Sequence, residues 1–144
     1  MPLNMIKLCV GVETVEDLEH HVATRLDDAR RAGVVAEQFH VTRVMPKRAD
    51  EILAGGSLYW VIKGQVQVRQ PILRFDAFTS ADGIERCRIV LRSDFIRTDW
   101  QPRRAFQGWR YLVQDDAPAD FGAGGEAAAL PAQLRRELAD LGLI

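Results

Sequence analysis

Ser57-Leu58-Tyr59-Trp60-Val61-Ile62-Lys63-Gly64-Gln65-Val66-Gln67-Val68-Arg69-Gln70 is the stretch on which the fold turns. Its first half is rich in aromatic and β-branched residues, the composition of a strand. Gly64-Gln65 matches a glycine-first two-residue hairpin turn. The returning strand is expected to show Gln65, Gln67 and Arg69 on one face and Val66 and Val68 on the other. Pro71 predicts a strand edge or a bend, with strand resuming over 72–79. Asp82-Gly83 is a second turn signal. Beyond it Cys87, Ile89 and Leu91 alternate inward against Arg86, Arg88 and Arg92. Further strands are expected at 95–100 and 106–113.

Upstream, residues 5–10 read as a strand ended by Gly11. Thr14 then suits a helix N-cap, with Asp17 in the capping-box position. Val15, Leu18, Val22, Leu26 and Ala29 follow at spacings of three and four, which makes one helical face apolar; Gly33 stops it. A second strand is expected over 39–45 and a short helix near 47–54, broken by Gly55-Gly56. Together these predict an α+β fold: a curved, mostly antiparallel sheet or partly closed β-barrel, with an N-terminal amphipathic helix. The division expected is one domain over 1–114, an acidic Ala/Gly linker over 115–130, and a tail helix over 131–144 led by Pro131 and striped by Leu134, Leu138 and Leu141.

The 144 residues suffice for one core. No apolar run approaches the roughly 20 residues that cross a bilayer, and the first residues lack a signal-peptide pattern, so a cytoplasmic, non-membrane protein is expected. Cys9 and Cys87 are too few for a disulfide framework or a four-cysteine metal site, and both lie in apolar runs that predict buried thiols. No nucleotide-loop, nucleophile-elbow or zinc-protease motif occurs. His20 and His21 are helix neighbours pointing about 100° apart, poor co-ligands. No metal and no cofactor is expected, and no residue is assigned a catalytic role.

Charge is distributed in blocks. Residues 1–42 carry 4 Lys/Arg against 7 Asp/Glu, residues 43–110 carry 13 against 7, and residues 111–144 carry 2 against 6. The basic middle also holds eight of the eleven aromatic residues. Lys47 and Arg48 stand at the start of the short helix, where free N–H groups and the dipole favour a phosphate. Arg103, Arg104, Trp109 and Arg110 form a second cluster, in which guanidinium groups suit phosphates and rings suit bases. With Tyr59, Trp60 and Arg69 these are the candidate nucleic-acid-binding residues. His40, Arg43, Tyr59 and Arg69 are the candidate residues of an alternative small-molecule pocket.

Five segments carry a resemblance: Ile6-Lys7-Leu8-Cys9-Val10-Gly11, His40-Val41-Thr42-Arg43, residues 56–64, Val68-Arg69-Gln70, and Phe106-Gln107-Gly108-Trp109-Arg110-Tyr111-Leu112. Over about 5–115 the chain resembles a family of small proteobacterial proteins known only as a domain of unknown function. Pro46-Lys47-Arg48-Ala49-Asp50-Glu51-Ile52-Leu53-Ala54-Gly55 is more remotely similar to a helix of the PUA-like superfamily, which includes ASCH and EVE domains; the Lys and Glu-x-Arg usual after that glycine in ASCH domains are replaced here by Gly56-Ser57-Leu58-Tyr59. That likeness implies a small curved barrel and RNA or a modified nucleotide as partner. Three readings stay open: a nucleic-acid or nucleotide-binding module, an enzyme acting on a small anionic substrate, and a structural protein whose tail helix contacts a protein partner.

Overall fold

The computed structural model describes residues 2–121. In chain order these form β1 (Leu3–Leu8), α1 (Val15–Arg31), β2 (Gln38–Thr42), α2 (Ala49–Leu53), β3 (Ser57–Ile62), β4 (Gln65–Thr79), β5 (Glu85–Leu91), β6 (Ile96–Pro102), β7 (Trp109–Val113) and a 3-10 turn, Gln114–Asp116. The fold is α+β. Its seven-stranded sheet runs β2-β5-β4-β3-β1-β7, with β6 on β4. The β1–β3 pair is parallel and the other pairs are antiparallel, so the sheet is mixed. Among the described residues it is open: β2 pairs only with β5, and β7 only with β1, so each leaves an edge without a strand partner there.

α1 begins where its sequence says it should. Thr14 Oγ1 accepts a 3.1 Å bond from Asp17 N–H, acidic Glu16 and Asp17 sit in the first turn, and Arg30 and Arg31 in the last. Val15, Leu18 and Val22 are buried against Met5, Trp60, Ile62, Val68, Cys87 and Ile89 in the main core. A second cluster, Ile6, Tyr59, Val61, Val66 and Leu112, fills the opposite face and is covered by Phe106 and Ala117. With core on both sides, every residue of β3 is buried. That is why its sequence is continuous rather than alternating.

Two local expectations for the hairpin are corrected. The turn is Lys63-Gly64, closed by the Ile62–Gln65 pair, with φ of 52° and 76°; two positive φ values define a type I′ turn, whose twist matches the flanking strands. Val66 and Val68 do not share a face. The register shifts so that Val66 pairs with Val61 and Val68 with Trp60, placing Gln67 in a bulge and the two valines in different cores. Beyond the bulge β4 runs through Pro71 as one strand. β5 and then β6 follow its other edge, from Thr79–Glu85 down to Gln65–Pro102.

Residues 115–121 do not stand off as a linker. Asp99 N–H donates to Ala119 O at 2.8 Å and Phe121 N–H to Arg97 O at 2.7 Å, lashing this segment antiparallel to β6. Asp120 forms a two-bond ion pair with Arg69. The rest of the expected linker and the tail helix lie outside the described residues. Among the described residues, no helix is long and apolar enough to cross a membrane.

Candidate functional site

The blocks of unlike charge along the chain cancel in space. Lys63 pairs with Glu13, Arg97 with Glu16 and Glu19, Arg74 with Glu37 and Asp76, and Arg69 with Asp120. Carboxylates of the acidic flanks thus pair with four cations of the basic middle.

Four cations meet beside the ends of β2 and β7. The segment 41–44, at the end of β2, faces 107–111, which leads into β7, across a groove of about 650 Å³. Lys7, Arg43, Arg86 and Arg110 line it with Trp109 and Tyr111, and among the described residues no carboxylate does. Arg86 is tied to Asp82 at 3.0 Å and Arg110 lies 4.9 Å over the Phe106 ring. Lys7 and Arg43 have no ion pair among the described residues. Trp109 Nε1–H donates to Val44 O at 3.0 Å, and Tyr111 Oη accepts from Arg48 N–H at 3.2 Å. These two bonds bridge the gap that strand pairing leaves open. The rings meet edge to face at 4.9 Å.

The candidate residues separate accordingly. Trp109, Arg110 and Arg43 meet in the groove. Trp60 and Tyr59 are 4% and 3% exposed, core side chains rather than stacking platforms. Trp60 Nε1–H donates to Gln70 Oε1 at 2.8 Å, and Gln70 bonds Gln38 and the Arg92 carbonyl, a buried polar chain inside the main core. Arg69 is held by Asp120 and, at 2.7 Å, by Ser57 Oγ. Arg48 caps α2 with its guanidinium turned onto Glu51, at 2.6 and 2.8 Å, and its N–H already spent on Tyr111, so the start of this five-residue helix is not an anion site. Lys47 is exposed beside it. Arg103 bonds Gln101 Oε1 and Asp116 O, and Arg104 is exposed in the same connection; neither lines the groove.

The alternative pocket does not assemble. His40 lies on the inner face, its ring 5.3 Å from Trp60, whereas Tyr59 and Arg69 pair across the opposite face. A profile described as "Protein of unknown function (DUF1489)" matches residues 5–144. The chain belongs to this family. No curated protein and no solved structure matches it. The DUF1489 match takes in both groove walls and Lys7 at the groove's base.

Two DUF1489-chain residues in these surroundings escaped sequence reasoning. Lys7 is a lone cation inside an apolar strand, a signal present but not read as functional. Arg25 belongs to the polar side of α1, where nothing in the helix period distinguishes it from its neighbours. It approaches the inner face where Cys9 and His40 sit. Burial pushes the Cys9 thiol up to about 11, with Lys7 and Arg25 pulling the other way. Burial, with the same two cations, holds His40 down at about 4. At neutral pH both groups are therefore uncharged, and Cys9 is not an activated nucleophile.

Proposed function

We propose that this protein is a nucleotide- or single-stranded nucleic-acid-binding module whose ligand lies in the groove between β2 and β7. The observation that carries this reading is a groove of about 650 Å³ with four cationic side chains, two aromatic rings and, among the described residues, no carboxylate. Arg43 and Arg110 supply planar donors for phosphate oxygens. Tyr111 is 37% exposed, enough to offer a base part of its ring. The PUA-like resemblance of residues 46–55 supports RNA over DNA, and is the sole basis for that choice.

Of the residues of the enzyme reading, His40 lies on the inner sheet face and Tyr59 and Arg69 on the other. The test is fluorescence anisotropy with short labelled RNA and DNA strands at several salt concentrations. Each phosphate contact contributes about −0.7 to the slope of log K against log salt for single strands. Replacing Arg43 and Arg110 with alanine should flatten that slope by up to about 1.4 and weaken binding across sequences. Tyr111→Ala should cost about 1–3 kcal/mol of binding where a base stacks there. Absence of binding by the unaltered protein at low salt overturns the proposal.

A further inference from the structure

Behind the groove, under α1, lies a second and more enclosed cavity of about 140 Å³. It shares Lys7 with the groove. β1 contributes Lys7 and the connection after it Cys9, α1 contributes His21 and Arg25, β2 contributes His40, and β3 Trp60. Among the described residues no Asp or Glu lines it. Lys7 and Arg25 have no ion pair among the described residues, yet both act on His40 and Cys9. Two cations, Lys7 half-buried and Arg25 exposed, thus border a partly enclosed space that no carboxylate lines among the described residues, so an anion entering it meets positive charge alone.

We propose that this cavity holds a single phosphate-sized oxyanion between Lys7, Arg25 and His40. The volume equals about five water molecules at about 30 Å³ each, room for one tetrahedral oxyanion and a water or two but not for a nucleoside. Lys7 and Arg25 bring the charge. His40 brings one N–H when neutral and two when protonated, and an anion beside it favours the protonated form. Because Lys7 is common to both spaces, a ligand in the groove can place a terminal phosphate monoester here. That assignment of the phosphate's source rests on the groove reading, whereas the oxyanion site does not. The shared chemistry is a tetrahedral dianion, either free phosphate or the end of a phosphorylated strand.

The test follows the His40 ring protons by NMR through a pH titration, without and with sulfate, which stays a dianion over the range, and with inorganic phosphate. The titration of the free protein centres near 4. With sulfate it should move up by about one unit or more, equivalent to at least about tenfold tighter sulfate binding to the protonated protein. Arg25 is exposed on α1, so Arg25→Gln keeps the fold. It should weaken sulfate and phosphate binding about tenfold or more and leave affinity for a strand without terminal phosphate unchanged. Arg31→Gln, at the end of the same helix, should change neither. A 5′-phosphorylated strand should bind more tightly than its dephosphorylated twin, and Arg25→Gln should abolish the difference. Phosphate binding with no strand binding would keep the pocket, assign free phosphate to it and end the groove reading. Strand binding with an unmoved His40 titration, or with Arg25→Gln binding sulfate like the unaltered protein, would overturn the pocket while the groove stands.

Discussion

Acidification should destabilise this protein through His40. His40 has an ordinary value of 6.5 and lies at about 4 in the fold, chiefly because it is buried and secondarily because Lys7 and Arg25 face it. Below 6.5 the unfolded chain binds a proton that the folded chain refuses. Stability therefore falls as the pH drops through the window from 6.5 to about 4. Between about pH 7.5 and about pH 5 the two values give a loss of about 2 kcal/mol. Asp99, raised by burial and by Asp120, gains stability on protonation and opposes the loss, but equally in the unaltered protein and in a His40 variant. Glu37 and Glu51 are held below their ordinary 4.5 by Arg74 and Arg48, so their contributions persist above 4.5 and fade only beneath it. Asp82, at about 2 through bonds from Ser80 and Arg86, matters lower still. The measurement is urea unfolding followed by tryptophan fluorescence at the two pH values, for the unaltered protein and for His40→Phe, which keeps a ring against Trp60. The unaltered midpoint should fall by about 1 M urea more than that of the variant. Equal losses in the two proteins would refute the reasoning.

Three further outcomes are expected. Gln70→Leu strands the Trp60 indole N–H, the Gln38 amide and the Arg92 carbonyl in the core, and should cost about 2–4 kcal/mol in the same unfolding assay. Gly56→Ala would drive a Cβ to 2.1 Å from the Leu3 carbonyl oxygen and 2.6 Å from that of Ile52, both backbone atoms, so it should lower stability by about 3 kcal/mol or more, read as a large fall in melting temperature or loss of folded protein. Cys9, with its thiol pushed up to about 11, and Cys87, fully buried, should react slowly with a thiol reagent at neutral pH and quickly in denaturant; fast labelling of the native protein would contradict both environments.

Local signals in the sequence determined the local elements. The apolar spacing of α1, its Thr14 cap and the inward run of Cys87, Ile89 and Leu91 each depend on residues a few positions apart, and each stands in the fold as read. The α+β class follows from the same periodicities. The type I′ turn and the bulge at Gln67 were not legible. A one-residue shift leaves the apolar composition unchanged, and only pairing with β3 decides which face each valine takes. Tyr59 and Trp60 show the same limit. Aromatic residues in a basic block fit a stacking surface or a core equally well, and the choice fell to the core because both faces of β3 are covered. The site was half legible: Trp109, Arg110 and Arg43 were named, but from separate clusters. Only the curl of an open sheet brings the edges of β2 and β7 together, and only long-range ion pairs decide which of the many arginines remain uncancelled. Charge and ring content were thus fixed by composition. Their convergence on one groove depends on contacts between residues some sixty positions apart, such as Trp109 with Val44, which no local pattern encodes.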